Sequence, residues 1–227
     1  MMGPDDITAW QPRIIAIAAA HAGSDGAHDL NHLHRVWANA RAIVHALADS
    51  GGAASSNADM LVVMSACYLH DLVNLPKNHP ERATASRHSA RAAGAALGSA
   101  GFPADRLGAV LHAIEAHSFS ANIAAESPEA KIVQDADRLD ALGAVGLARL
   151  FHTAGQMHSA LADGADPLAA DRPLDDRAFA LDHIVVKLAA LPGMMQTEAG
   201  RALGEQRLRR LIDFRREFAA EWSGCEP

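Results

Sequence analysis

Apolar residues in this chain recur with a helical period almost from end to end, and nowhere do β-branched and polar residues alternate long enough to make a strand. Ala, Leu and Arg, which lose little freedom on entering a helix, dominate the periodic stretches. An all-α fold is expected. Turn-forming residues interrupt the pattern at 23–26, 49–56, 76–80, 98–103, 118–128, 164–173 and 192–193, which leaves about eight helices. With 227 residues, 49% of them hydrophobic, the chain can build one substantial core, so a single domain over residues 1–227 is expected. The stretch 163–176 is rich in Asp, with Gly and Pro among them. It is too polar to offset its ordering by burial and reads as a mobile loop.

Charge narrows the choice of partner. Lys and Arg number 20 against 27 Asp and Glu, and the net charge of -7 repels a polyanion. One Tyr and three Trp offer little stacking surface for bases. Long nucleic acid is therefore not an expected partner, although a local basic pocket can still hold a small phosphate compound. The apolar run from Ile14 to Ala20 falls well short of the roughly 20 residues a membrane span needs, and Asp5 and Asp6 stand where an export signal would be basic. Cys67 and Cys225 make no disulfide framework. A cytoplasmic protein with no membrane partner is the expectation.

The chemistry-bearing residues are His32 in HLHRV, the pair His70-Asp71 in ACYLHDLVNL, and an aspartate of KIVQDADRLDALGA. Two imidazoles and two carboxylates can hold one divalent ion and leave positions for water and substrate. Around His70 and Asp71, Val63, Cys67, His70 and Asn74 form one helical stripe, and Met60, Met64, Cys67 and Asp71 form the next. A carboxylate that continues an apolar face points inward, where it needs a cation or a shifted pKa. His28, His32 and His34 crowd one helix start. Asp135, Asp137 and Asp140 occupy different azimuths around Ile132, Val133, Ala136 and Leu139, and periodicity does not choose among them.

The order His, His-Asp, Asp on a helical scaffold resembles the HD-domain superfamily of metal-dependent phosphohydrolases. The local forms that carry the likeness are His32-x-x-Arg35-Val36, His70-Asp71 and Ala136-Asp137-Arg138-Leu139. The phrase VQDADRLDALGA, and Thr197-x-x-Gly200-Arg201 with its Arg-rich helix, look like one bacterial subgroup of small stand-alone members. The resemblance runs from about Asp29 to Trp222. It implies an HD-domain helical bundle, a hydrolase, and His32, His70, Asp71 and Asp137 as ligands of Mn²⁺, Mg²⁺, Co²⁺ or Fe²⁺, with His34 and Asp135 as neighbours.

In that frame Asp71 has a catalytic role, orienting water with the carboxylate oxygen that is not on the ion. Many relatives carry an acid three residues after the HD aspartate, where this chain has Asn74. An amide cannot protonate a leaving group, which shifts the expected substrate toward phosphoanhydrides. Lys77 is then the first candidate for holding phosphate and for protonating the leaving oxygen, with Arg138 and His117 as further substrate-binding residues. The expected substrate is a nucleotide or similar small phosphorylated molecule, with nucleoside triphosphate pyrophosphohydrolysis foremost. Two other readings stay open. His88, His112 and His117 could serve a second metal in a phosphodiesterase or a di-iron oxygenase, and the fold could serve as a nucleotide-binding sensor without catalysis.

Overall fold

A computed structural model describes residues 5–21, 29–49, 57–73, 75 and 81–224. Among these lie nine α-helices and no strand: α1 (Asp5–His21), α2 (Leu30–Asp49), α3 (Met60–Leu69), α4 (Ala85–Ser99), α5 (Ala104–His117), α6 (Pro128–Asp140), α7 (Gly143–Gln156), α8 (Ala180–Val186) and α9 (Glu198–Trp222). The all-α expectation holds, with one helix more than the breakers suggest. Residues group into two compact units: 1–137 with 196–199, and 138–195 with 200–227.

In the first unit α3 is the central element. Every residue from Leu61 to Leu69 is buried, and α1, α2, α4 and α5 all pack on it. Burial at roughly 1.5–3 kcal/mol per large apolar side chain makes this helix the main source of cohesion around the site. Its start is fixed by Asp59, whose carboxylate accepts the N–H groups of Leu61 (2.9 Å) and Val62 (3.4 Å) in the manner of an N-cap. The other oxygen of Asp59 takes the Arg106 Nε–H of α5 at 2.6 Å, and the Asp59 N–H donates to Glu129 of α6 at 2.9 Å. One residue thus joins the starts of three helices.

Two buried amides set the register of α6. Asn39 of α2 donates to the Ala136 carbonyl at 3.0 Å, and Gln134 of α6 donates to the Ala116 carbonyl at 2.7 Å. These bonds sit one residue from Asp137 and from His117. Buried amides that donate across helices tolerate little sliding, so they carry the positions of both neighbours.

In the second unit, the Phe151 ring of α7 meets Phe214 (5.8 Å between centroids) and Phe218 (6.3 Å) of α9, and Trp222 stacks on Phe218 at 5.4 Å. The separation of α6 from α7 falls at Ala141 and Leu142, where the sequence reads as good helix former. Gly143 takes φ +72, and a Cβ on Gly146 would stand 2.3 Å from the Ala141 carbonyl carbon and oxygen. The break therefore depends on two glycines, one for its positive φ and one for a close backbone approach.

In the stretch 163–176, carboxylates cap backbone groups. Asp163 accepts the N–H groups of Ala165 and Asp166, and Asp166 accepts those of Ala170 and Asp171. Arg172 forks onto the fully buried Asp182 at 2.6 and 2.9 Å. Among the described residues, no helix is long and apolar enough to cross a membrane.

Candidate metal centre

His32 lies in the first turn of α2, where Asp29 caps the helix by accepting the His32 N–H at 2.9 Å. His70 is the C-cap of α3, and Asp71 follows it on a turn. Asp137 lies on α6, and His117 is the last residue of α5. Five side chains from four helix segments converge. The Nε2 atoms of His32 and His70 are 3.3 Å apart. Asp137 Oδ1 is 3.6 Å from His32 Nε2 and 3.7 Å from His70 Nε2, while Asp71 Oδ2 is 3.9 and 3.7 Å from the same two atoms. His117 Nε2 faces the other Asp71 oxygen, Oδ1, at 3.6 Å.

Local hydrogen bonds decide which nitrogens face the cluster. His70 donates its Nδ1–H to the Cys67 carbonyl at 2.9 Å, and His117 donates its own to the Ile114 carbonyl at 2.6 Å. A carbonyl only accepts, so Nδ1 carries the proton and a neutral ring presents a lone pair at Nε2. Two imidazole nitrogens 3.3 Å apart in a buried site must share a proton or a cation. Donors that share a small divalent ion at roughly 2.0–2.2 Å lie from about 3 Å apart in adjacent positions to about 4.4 Å in opposite ones. The donor set fits such an ion in both spacing and chemistry.

The electrostatics agree. Burial pushes the His70 pKa down, but the negative charges of Asp71 and Asp137 outweigh it and raise the pKa to about 9. Burial raises the pKa of Asp71, yet the charges of His70, His117 and His32 bring it well below the usual carboxylate range. Asp137 is lowered in the same way, mainly by its pairing with His70. The rings of His32 and His70 are 0% exposed, whereas the side chains of Asp71 and Asp137 are 18% and 29% exposed. The carboxylate side is the side open to solvent.

The three aspartates of VQDADRLD have three separate tasks. Asp137 joins the cluster. Asp135, fully buried, accepts the N–H groups of Gln196 and Thr197, both at 2.8 Å, and the Thr197 hydroxyl at 2.7 Å. Asp140 takes the Arg149 guanidinium at 2.7 Å in the second unit. Among the other candidates, His34 is exposed and bonds the Tyr68 hydroxyl at 2.9 Å, and His112 accepts the Glu126 N–H at 3.3 Å. His88, on α4, takes no part in the cluster. Arg138 donates to the Met194 carbonyl. His28, Asn74 and Lys77 lie outside the described residues.

This helical domain gathers two buried imidazoles and two half-buried carboxylates around one point, a set that could hold a metal ion. The HD-domain sequence profile matches residues 29–142, and the chain belongs to the HD-domain family. YpgQ of Bacillus subtilis is 32% identical over 203 residues, 88% of this chain and 86% of that protein. The crystal structure of YpgQ in complex with ADP aligns with a TM-score of 0.67 at 30% identity, over 93% of this chain and 97% of the other. The crystal structure of an HD-superfamily hydrolase from Bacillus thuringiensis gives 0.70 at 27% identity, over 95% and 98%.

Proposed function

We propose that this protein is a metal-dependent phosphohydrolase that acts on a nucleotide or similar small phosphorylated molecule, with cleavage of a nucleoside triphosphate to the monophosphate and pyrophosphate as its foremost reaction. The observation that carries the reading is the convergence of the His32 and His70 Nε2 atoms with the carboxylates of Asp71 and Asp137. YpgQ, with ADP in its crystal, supports a nucleotide ligand.

His32, His70, Asp71 and Asp137 would hold the ion. When bound, a divalent cation acidifies water and offsets the charge of a phosphoryl group. The chain's own residues do the rest. The buried imidazoles form the back of the site, with His70 oriented by its bond to Cys67. Asp71 offers one oxygen toward the imidazoles and another toward His117, so the second oxygen can accept a proton from an attacking water. His117, whose Nε2 lies 3.6 Å from that oxygen, is a further candidate for binding the substrate. Lys77 remains the first candidate to hold phosphate and to donate a proton to the leaving oxygen. Arg138 is the second phosphate contact, with one of its N–H groups committed to Met194.

Incubation of the purified protein with nucleoside tri- and diphosphates and Mn²⁺, read by product identity, tests this reading. Nucleoside monophosphate plus pyrophosphate is expected, and chelation should stop its formation. No phosphorus-containing product from any nucleotide would reject the proposal.

A further inference from the structure

The Asp71 carboxylate sits on the part of the centre that its own helix supports least. α3 ends at Leu69, and the bond that continues it, from Leu72 N–H to the Leu69 carbonyl, is 3.4 Å long. The far side of this turn is held from another helix. Ser89 of α4, fully buried, accepts the Val73 N–H at 3.0 Å and donates its own hydroxyl to the Val73 carbonyl at 3.2 Å. One hydroxyl thus satisfies both backbone groups of the residue two places beyond Asp71. Just ahead of α4, Arg82 donates to the Leu75 carbonyl. The chain leaving the His70-Asp71 pair is therefore fixed to α4 and the short turn that leads into it.

We propose that Ser89 is a positioning residue for the metal centre, acting through Val73 to hold the turn that presents the Asp71 carboxylate. This role rests on the reading of His32, His70, Asp71 and Asp137 as a cation site. A group that meets an N–H and a C=O of the same residue must be donor and acceptor at once, which a hydroxyl is and a methyl is not. Without it, two part-buried backbone groups lose their partner, and the turn must shift to find another. A ligand that moves with its turn costs ion affinity, and loss of groups that orient metal ligands typically costs 10–100-fold in affinity or activity. Ser86, three residues earlier on α4, is the natural control. It is buried too, but its hydroxyl has no hydrogen-bond partner among the described residues.

The test compares Mn²⁺ affinity by titration calorimetry in the wild-type protein, Ser89→Ala, Ser89→Cys and Ser86→Ala, with the spectrum of bound Mn²⁺ by electron paramagnetic resonance. Ser89→Ala should weaken binding about tenfold. Ser89→Cys, which keeps the shape but offers only a weak hydrogen bond, should weaken it in the same direction. Ser86→Ala should match the wild type. Unchanged affinity in both Ser89 variants, or an equal fall in Ser86→Ala, overturns the assignment, and a wild-type protein that takes up no divalent ion overturns it together with the metal centre. A protein that binds Mn²⁺ but cleaves no nucleotide ends the phosphohydrolase reading alone, because the positioning role is read from affinity.

Discussion

His32 Nε2 and His70 Nε2 stand 3.3 Å apart with both rings fully buried, and Asp71 and Asp137 raise the His70 pKa to about 9. A proton and a cation therefore compete for the same nitrogen. At pH 7.5 each Mn²⁺ bound should release about one proton, and affinity should climb with pH until it levels near 9. Calorimetry in buffers of different ionisation heat counts the proton directly, and zero release would show that the ion displaces no proton from His70. The same shift governs the metal-free fold. Because the folded pKa lies above the unfolded value of 6.5, the stabilisation is complete below about 6.5 and is lost as pH rises through 9. The lowered carboxylates act in the opposite direction: their contribution is present above the ordinary value of 3.8 and is lost as pH falls below it. With chelator present, Tm should decline between pH 6.5 and 9, and added Mn²⁺ should remove most of that decline.

Asp137 and Asp135 separate function from folding. Asp137→Ala removes a donor from the cluster and should abolish both metal uptake and hydrolysis. Asp135→Ala should keep the metal, yet strip three donors of their acceptor and lower stability by about 2–4 kcal/mol. Metal analysis with urea unfolding checks both. Metal loss in Asp135→Ala with retention in Asp137→Ala would invert the assignment.

That pair also shows what the sequence could and could not tell. Helical periodicity gave the fold class, because amphipathic spacing is a local property. It could not sort Asp135 from Asp137, since the partners of Asp135 lie 61 and 62 residues away and leave no mark on the helix's own pattern. Likeness to a family singled out His32, His70, Asp71 and Asp137, and the distances bring the four side chains together. Of the three extra histidines, only His117 joins them, through a bond to its own i−3 carbonyl that any helix-end histidine could make. The break after Asp140 went unread because Ala-Leu-Gly-Ala looks helical, and a Gly needed for a close approach resembles one that is merely tolerated.

Two glycine substitutions should move stability in opposite directions. At Gly146 a Cβ would meet the Ala141 backbone at 2.3 Å, and backbone cannot yield as a side-chain tip can. Gly146→Ala should destabilise by about 1–3 kcal/mol or more. Gly108, exposed within α5 with nothing within 4 Å of its Cβ position, should gain from the same change, about 0.5–1 kcal/mol. Chemical denaturation reads both, and equal effects would contradict the packing at Ala141.

Arg172 bears on the motion of the 163–176 stretch. Its guanidinium donates twice to the buried Asp182, its Nε–H donates to the Asp166 carbonyl at 3.0 Å, and it lies 4.5 Å from the Phe179 ring centre. The side chain of Asp166 meanwhile caps the amides of Ala170 and Asp171. If this network persists in solution, those amides exchange slowly despite their polar surroundings, because each opening must break a charge-assisted bond. Arg172→Ala deprives Asp182 of its cation and removes the brace on Asp166, so the amides of Ala170 and Asp171 should exchange roughly tenfold faster or more. Arg172→Lys, which cannot reproduce the fork, should lie between the two. Rapid exchange already in the wild type would mean that the stretch moves freely and that the Arg172 network is one of several conformations it visits.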